Sequence, residues 1–153
     1  MSGQNDKIKV NIFTIGFARK SACEFFTKLK DAGVKRVIDI RLNNVSQLAG
    51  FTKKQDIEYF LKELCKIEYL HKPEFAPTKS ILDAYKKKEI DWSEYERQFR
   101  ELITERQIEN LVTREQINNA CFLCSEVTPE KCHRRLVVEY LQGHWRDVVI
   151  NHL

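Results

Sequence analysis

The order of secondary-structure patterns between residues 10 and 40 constrains the fold more than any other feature of the sequence. A β-branched and aromatic run from Val10 to Ile15 stops at Gly16, which is typical of a buried strand ending in a tight turn. A pattern with apolar residues on one helical face follows up to Ala32, and Val34 to Ile40 is again strand-like. Strand, helix and strand within about 30 residues form a βαβ unit, whose strands are parallel and whose crossover is right-handed. The sequence therefore predicts an α/β fold.

The rest of the chain continues this alternation without an internal repeat, linker or low-complexity tract. Its 153 residues, of which 42% are hydrophobic, suffice to bury one core. We expect a flexible N-terminus over residues 1–8 and a single α/β domain over residues 9–153, with an open, mostly parallel, Rossmann-like sheet flanked by helices. The further segments are a helix over Lys53–Lys66, a strand over Ile67–Leu70, two helices within residues 79–107 that break near Asp91, a strand from Ala120, a helix over Pro129–Leu141 and a strand over Val148–Ile150.

Composition and charge exclude several classes of protein. The N-terminus is polar, and no segment approaches the roughly 18 uninterrupted apolar residues of a membrane span, so we expect neither export nor membrane insertion. Five cysteines, an odd number, indicate reduced thiols in a cytoplasm rather than a disulfide framework. The net charge of +4 arises in residues 1–50, which hold nine basic and four acidic side chains. This distribution favours a confined anion site over a broad nucleic-acid surface.

Polar and reactive side chains follow three of the predicted strands. In open parallel sheets the ligand crevice lies outside the carboxyl ends of the strands, so we expect these side chains to share one edge. An arginine there, beside helix N-termini, is suited to bind a phosphate or carboxylate. A purely structural ion pair between Asp39 and Arg41 is the alternative. The candidates for binding an anion or substrate are Gly16, Arg19, Asp39, Arg41, Ser46 and Arg134.

The densest group of reactive residues lies between Cys121 and Arg134. Its three cysteines and His133 match the number and type of ligands in a tetrahedral zinc site. Cys121 and Cys124 are three positions apart in a predicted strand, however, so their side chains point to opposite faces of the sheet. The candidate metal ligands are therefore reduced from four residues to Cys124, Cys132 and His133.

Two other chemistries fit the same residues. A cysteine at a helix N-terminus beside a histidine and an arginine has a lowered pKa, which favours Cys132 as a thiolate nucleophile or as a redox partner of Cys124. In the third alternative, Glu126 is a proton carrier or carboxylate nucleophile, His133 is a second proton carrier and Arg134 holds an anion. The catalytic candidates are therefore Cys124, Glu126, Cys132 and His133.

Other residues of reactive or aromatic type are interpreted as structural. Isolated cysteines are commonly small, inert core residues, and aromatic residues at helical spacing predict core contacts rather than a stacking platform. The lysine run over residues 86–88 is typical of a solvated helix face. The residues interpreted as structural are Cys23, Cys65, Cys121, His71, His152, Trp92, Tyr95 and Phe99.

The order of these motifs resembles a known family. Thr14-Ile15-Gly16, Asp39-Ile40-Arg41 with Ser46 beyond, and above all Cys124-Ser-Glu126 followed by Cys132-His133-Arg134 are similar to the Domain of Unknown Function family 488. The closing hydrophobic strand with His152 is also similar, so the resemblance covers about residues 10–153. It implies a single α/β domain with a parallel sheet, and it implies no established reaction.

Three functional hypotheses follow from these observations. The leading one is a small cytoplasmic enzyme, a hydrolase or a transferase, that acts on a phosphorylated or nucleotide-like ligand, including a nucleic-acid base or end. The second is a non-catalytic module that binds nucleotide or nucleic-acid phosphate, with an affinity that falls steeply with salt. The third is a metal- or redox-sensing protein. The sequence identifies no cofactor and leaves the oligomeric state open.

Overall fold

A computed structural model describes residues 9–44 and 50–153. Five strands and six α-helices alternate within these ranges. The strands are β1 (Val10–Gly16), β2 (Arg36–Asp39), β3 (Glu68–His71), β4 (Ala120–Cys124) and β5 (Val148–His152). The helices are α1 (Ala22–Asp31), α2 (Lys54–Phe60), α3 (Lys79–Lys86), α4 (Trp92–Glu105), α5 (Arg114–Ile117) and α6 (His133–His144).

The five strands form one open parallel sheet in the order β3-β2-β4-β1-β5. The predicted α/β fold with a parallel sheet is thereby confirmed. The late strand β4 is inserted between β1 and β2, the two strands of the predicted βαβ unit. Gly16 at the end of β1 is level with Cys124 at the end of β4, and Asp39 at the end of β2 is level with Leu123. This register aligns the three strand ends at one edge.

The helices cover both faces of the sheet. Phe25 and Leu29 of α1 and Ile57 of α2 pack on one face, whereas Phe99 of α4 and Leu136 of α6 pack on the other. The chain first crosses the sheet from β1 to β3 and then returns from β3 to β5. Crossovers of a single hand require the helices to change faces at that reversal. Among the described residues, no helix combines the length and the apolar character needed to cross a bilayer.

The caps of α1 explain why the predicted βαβ unit forms where it does. Ser21 is extended, and its hydroxyl accepts a 3.1 Å hydrogen bond from the Glu24 amide, which satisfies a free donor of the first turn. At the other end Gly33 adopts φ +74°, a left-handed conformation that costs glycine little and ends the helix.

The sequence prediction is wrong at the start of α6. We expected a helix from Pro129, whereas α6 begins at His133. The amide of Cys132 donates to the Pro129 carbonyl oxygen at 3.2 Å in a turn, and Cys132 itself is extended, with φ −138° and ψ 140°. Residues 125–132 are thus a loop, which is long enough to turn Cys132 back toward the end of β4. The predicted flexible segment 1–8 and the candidate Ser46 lie outside the described residues.

Candidate active site

A cavity of about 360 Å³ opens beside the carboxyl ends of β2 and β4. Its wall has contributions from the segments that follow these strands, from the start of α6, and from α3 and α4. Cys124, Cys132 and His133 line one part, and Arg41 lines the wall next to them. The cavity therefore lies where the topology of an open parallel sheet places a ligand site.

Two cysteines and one arginine are in direct contact at this cavity. The Sγ atoms of Cys124 and Cys132 lie 2.6 Å apart as free thiols, and Nη1 of Arg134 donates to Cys124 Sγ at 3.1 Å. All three side chains are buried, and Arg134 has no exposed surface. Cys124 thus has two hydrogen-bond donors, one of which carries a full charge.

The environment shifts the pKa values of the two thiols in opposite directions. Burial opposes ionisation of Cys124, yet the hydrogen bond from Cys132 and the charge and hydrogen bond of Arg134 bring its pKa below the ordinary value. For Cys132, burial and then its contact with the ionised Cys124 raise the pKa. We expected the lowered pKa at Cys132, and this expectation is wrong. The guanidinium donates a hydrogen bond to Cys124 Sγ, whereas at Cys132 its charge acts without such a bond and is outweighed by burial and by the contact with Cys124.

The other cysteine of β4 has a different environment. Cys121 packs on the α1 side of the sheet with Leu123 and Phe25, as the alternation of a strand predicts. Burial raises the pKa of Cys121, which keeps it a neutral thiol. Cys121 is therefore a core residue and is absent from the cavity wall.

Arg134 is the positive centre of the site. Its Nη1 also donates to the Glu126 backbone carbonyl at 2.7 Å, while Nε and Nη2 have no hydrogen-bond partner among the described residues. Its charge acts on two further groups. Burial first, and then this charge, lower the pKa values of Lys20 and His152.

Gly16 makes room for this arginine. A Cβ atom at residue 16 would overlap both the Glu126 carbonyl oxygen and Nη1 of Arg134. Beyond the strand ends, the amides of Phe17 and Ala18 donate to the carbonyls of Cys124 and Ser125. Close approach of the β4–α6 loop to β1, rather than an unusual backbone angle, therefore requires glycine here.

Asp39 and Arg41 form a buried bidentate ion pair beside the cavity. Nε and Nη2 of Arg41 donate to the two carboxylate oxygens at 2.8 and 2.7 Å, and Nη2 also donates to the Thr52 carbonyl oxygen. The Tyr69 hydroxyl donates to Asp39 at 2.6 Å, and the Arg41 guanidinium stands 5.5 Å from the Phe17 ring centroid. The structural ion pair that we kept as an alternative is thus present. Arg41 Nη1 remains buried and without a partner among the described residues.

The remaining candidates occupy different positions around the cavity. His133 is half-buried, and its Nε2 donates to the Ile40 carbonyl oxygen at 2.8 Å. Burial lowers the pKa of His133 to about 4, so its ring is neutral at pH 7. Glu126 lines the cavity with an exposed side chain, and its role as proton carrier stays a prediction. Arg19 is exposed in the turn after β1, where it adopts φ 59°.

The histidines of β3 and β5 have structural partners. His71 contacts the Arg41 carbonyl oxygen through Nε2 at 2.9 Å. His152 contacts the Thr14 hydroxyl through Nδ1. Both rings therefore tie strand ends together, as the sequence indicated.

Two residues at the site were not singled out as functional by the sequence. Lys20 lies close enough to Arg134 and Cys124 for their charges to shift its pKa. The sequence feature that could have identified it is its position directly after the candidate Arg19. Tyr95 lines the cavity, and its pKa is raised by burial and by its proximity to the sulfurs of Cys132 and Cys124. Helical spacing could not identify Tyr95 as a residue of the cavity wall, because core residues recur at the same spacing.

The metal alternative has no support in the part of the chain that the structure describes. Within it, no group of three or more His, Cys, Asp or Glu side chains is arranged to hold a metal ion. Cys124 and Cys132 are together, but His133 directs Nε2 to a backbone carbonyl instead of toward the sulfurs. The proposed set of three ligands is therefore not assembled.

Fold and site together define an α/β protein with an open parallel sheet and a buried thiol–arginine pair at its carboxyl edge. The profile of the family described as Domain of unknown function DUF488 matches residues 21–141, and the chain belongs to this family. The match runs from the start of α1 through most of α6, and it includes Cys124, Cys132 and Arg134. No curated protein and no solved structure matches the chain.

Proposed function

We propose that this protein is a small cytoplasmic enzyme, a hydrolase or a transferase, that uses the Cys124 thiolate to attack a phosphorylated ligand. The observation that carries the proposal is the contact of Cys124 Sγ with both Cys132 Sγ and Arg134 Nη1 on the wall of the cavity. A buried thiolate that a guanidinium stabilises is a nucleophile at neutral pH, because the ionised form is the reactive one.

The proposed reaction has two balanced steps. In the first, the sulfur of Cys124 forms a bond to phosphorus while the bond from phosphorus to the leaving oxygen breaks, and that oxygen takes a proton from solvent. In the second, an oxygen nucleophile attacks phosphorus, gives its proton to the Glu126 carboxylate, and releases the Cys124 thiolate. Water as this nucleophile makes the enzyme a hydrolase, and an alcohol makes it a transferase. Glu126 suits this role because its exposed side chain lines the same cavity.

The cavity also offers donors to the negative charge of a phosphoryl group. Arg41 lines it and retains a buried Nη1 that no described residue uses. The twelve-residue helix α6 begins beside it, and its N-terminus carries a partial positive charge. A neutral His133, held by the Ile40 carbonyl, fixes the start of this helix against the end of β2. These donors suit the equatorial oxygens of a phosphoryl group, over which the charge is spread in the transition state.

Trapping the phosphorylated cysteine tests the proposal. The protein is incubated with p-nitrophenyl phosphate, quenched in acid and digested, and the peptides are weighed. We expect one phosphoryl group on the peptide with Cys124 and release of p-nitrophenolate, both abolished in Cys124→Ala. Cys121→Ala, on the same strand but in the opposite core, is the matched control and should retain both.

Two outcomes would contradict the proposal. Undiminished turnover by Cys124→Ala would exclude the thiolate as nucleophile. Phosphate binding without turnover in either variant would instead identify a non-catalytic module that binds phosphate.

A second candidate function is dithiol–disulfide exchange, which the direct contact of the two sulfurs favours. The Cys124 thiolate would attack one sulfur of a disulfide substrate, form a mixed disulfide and release the first substrate thiol, which takes a proton from solvent. Cys132 would then lose its proton to solvent, attack Cys124 Sγ, form the Cys124–Cys132 disulfide and release the second substrate thiol, so two electrons pass to the substrate. Equilibration in glutathione buffers followed by thiol counting separates the two functions. Loss of two thiols, assigned to Cys124 and Cys132, at cytoplasmic glutathione ratios favours redox chemistry; five free thiols exclude it.

A further inference from the structure

We infer that the ligand of this cavity is a mononucleotide, whose base stacks on an aromatic wall formed by Tyr85, Trp92 and Tyr95 while its phosphate lies toward Arg41 and Cys124. The position of the phosphate rests on the proposed function. The position of the base rests on separate observations.

The aromatic wall is continuous and opens onto the cavity. The rings of Trp92 and Tyr95 stack with centroids 5.0 Å apart and an interplanar angle of 23°. Tyr85 completes the wall, with its ring centroid 5.0 Å from Tyr95 and 5.9 Å from Trp92. All three line the same cavity as Cys124. Tyr85 and Trp92 are only half-buried, so part of each ring remains available to a ligand.

Helix α3 directs its apolar residues to this cavity. None of its residues is fully buried, although its hydroxyl cap at Thr78 and its eight residues make it a regular helix. Leu82 and Tyr85 of α3 and Pro77 before it line the cavity. Ile81 and Tyr85 also pack against the core, which leaves them only partly covered. Apolar side chains that stay half-exposed around an opening are typical of a ligand wall.

The two sides of the cavity require a ligand with two chemical parts. On the α6 side stand the thiolate, the free Nη1 of Arg41 and the N-terminus of the helix. On the α3–α4 side stand three aromatic rings, two aliphatic residues and the exposed Lys86. A sugar phosphate would leave the wall uncovered, and an uncharged aromatic molecule would leave Arg41 Nη1 without a partner. A nucleotide satisfies both sides, and stacking of its base contributes about ten- to a hundredfold in affinity.

The volume of the cavity limits the ligand to one nucleotide. At about 360 Å³ it lies near the lower end of the roughly 300–1,000 Å³ of ligand pockets. The excess of positive charge is also confined, since residues 51–153 are nearly balanced in charge. A long nucleic-acid strand would need a basic groove along its path.

Intrinsic fluorescence offers a direct test, because the chain has two tryptophans, Trp92 and Trp145. In a Cys124→Ala/Trp145→Phe background, Trp92 is the sole tryptophan and turnover is blocked. AMP, UMP, ribose 5-phosphate and inorganic phosphate are titrated, and affinities are measured in parallel by calorimetry. We expect both nucleotides to quench Trp92 and to bind at least tenfold more tightly than ribose 5-phosphate.

Variants of the wall sharpen this test. Tyr85→Leu should weaken nucleotide binding about tenfold and leave the affinity for ribose 5-phosphate unchanged. Tyr59→Leu, at an aromatic residue that is 62% exposed on α2 and absent from the cavity wall, is the matched control and should change neither.

Three results would overturn the inference. Equal affinity for AMP and ribose 5-phosphate without quenching would exclude a base on the wall. Nucleotide binding unaffected by Tyr85→Leu and by Trp92→Leu would place the base elsewhere. Tighter binding of an oligonucleotide than of AMP would replace the mononucleotide by a nucleic-acid end. Phosphorylation of Cys124 without a preference for nucleotides would contradict this inference and leave the proposed function intact. Nucleotide binding without phosphorylation would contradict the proposed function and leave this inference intact.

Discussion

Arg41 and Arg134 are both buried at the carboxyl edge of the sheet, but their anionic partners differ. Arg41 meets a carboxylate, Asp39, which binds it through two oxygens and is held in turn by the Tyr69 hydroxyl. Arg134 meets a sulfur, Cys124, through one nitrogen, and two further nitrogens have no partner among the described residues. Arg41 also keeps one nitrogen, Nη1, without a partner in the described part of the chain, but a carboxylate neutralises its charge, and we call the contacts of Arg41, Asp39 and Tyr69 the closed network. Within the described ranges, the contacts of Arg134, Cys124 and Cys132 include no carboxylate, and we call them the open network.

This difference gives the two arginines different roles: Arg41 belongs to a structural ion pair, and Arg134 lowers the pKa of a cysteine. A carboxylate is ionised at neutral pH without help, so Asp39 neutralises Arg41 and the pair holds the end of β2 in place. A thiol ionises only where its surroundings favour the charge, and a buried guanidinium without a counterion is costly. The Arg134 charge and its hydrogen bond therefore favour the ionised form of Cys124, and the same interaction offsets the cost of burying the guanidinium.

The largest effect is expected from breaking the closed network. Asp39→Asn leaves the Arg41 charge buried without a counterion and places an amide donor opposite other donors. Removal of one partner of a buried ion pair costs about 3–5 kcal/mol in the free energy of unfolding. Urea denaturation of the wild type and of Asp39→Asn measures this loss in the free energy of unfolding. Glu126→Gln, at an exposed carboxylate of the same edge, is the control, and a loss below about 1 kcal/mol for Asp39→Asn would show that the network contributes little.

Lowering the pH probes the open network through its neighbour His133. Burial lowers its pKa to about 4, and the Arg134 charge adds to this against the opposing hydrogen bond to Ile40. The unfolded chain therefore binds a proton at higher pH than the folded chain does. Stability from this group is complete above pH 7 and declines by up to about 3 kcal/mol as the pH falls from 6.5 to 4.

Urea denaturation at pH 7 and pH 4.5 measures this decline. Carboxylates also titrate in this range, so the wild type is compared with His133→Gln, which keeps an amide donor for the Ile40 carbonyl. We expect a shallower pH dependence in the variant. Parallel curves for the two proteins would contradict the lowered pKa.

Much of the fold could be predicted, because its signals are local. The alternation of residues 10–40 indicated the βαβ unit, and Ser21 and Gly33 set the limits of α1 through their own backbone preferences. The insertion of β4 between β1 and β2 could not be predicted, since it depends on contacts between segments about a hundred residues apart. The prediction of the residue at which α6 begins was wrong for a related reason. Pro129 suits a first helical turn, but contacts with β4 hold the following residues in a loop.

The proximity of Cys124, Cys132 and Arg134 could be predicted from the sequence, but the electrostatics of this cluster could not. Sequence order places Cys124, Cys132 and Arg134 at one edge once the sheet is parallel. Which thiol ionises depends on which sulfur the guanidinium touches, and that contact depends on the space left by Gly16. The position of Tyr95 in the cavity wall could not be predicted, because residues of a cavity wall and residues of a core recur at the same helical spacing.

Removing the second thiol should weaken the open network without dismantling it. Cys132→Ala deletes the hydrogen bond to Cys124 and leaves that of Arg134, so the pKa of Cys124 should rise toward its ordinary value. We expect alkylation of Cys124 by iodoacetamide at pH 7 to slow about tenfold. Peptide mass spectrometry over a range of pH measures the rate, with Cys121→Ala as control. An unchanged pH profile would assign the lowered pKa to Arg134 alone.

The smallest effect is expected at a third arginine pair, which lies in solvent. Arg36 at the start of β2 donates through Nε and Nη2 to one carboxylate oxygen of Glu68 at 2.9 and 2.6 Å. These distances are comparable to those between Arg41 and the two carboxylate oxygens of Asp39. The Glu68 side chain is 68% exposed, so water screens the attraction and solvates either charge when it is alone. Glu68→Gln should therefore lower the free energy of unfolding by only about 0.2–1 kcal/mol in the urea assay used for Asp39→Asn. A loss as large as that of Asp39→Asn would mean that short hydrogen bonds, and not burial of the charge, make an arginine pair structural.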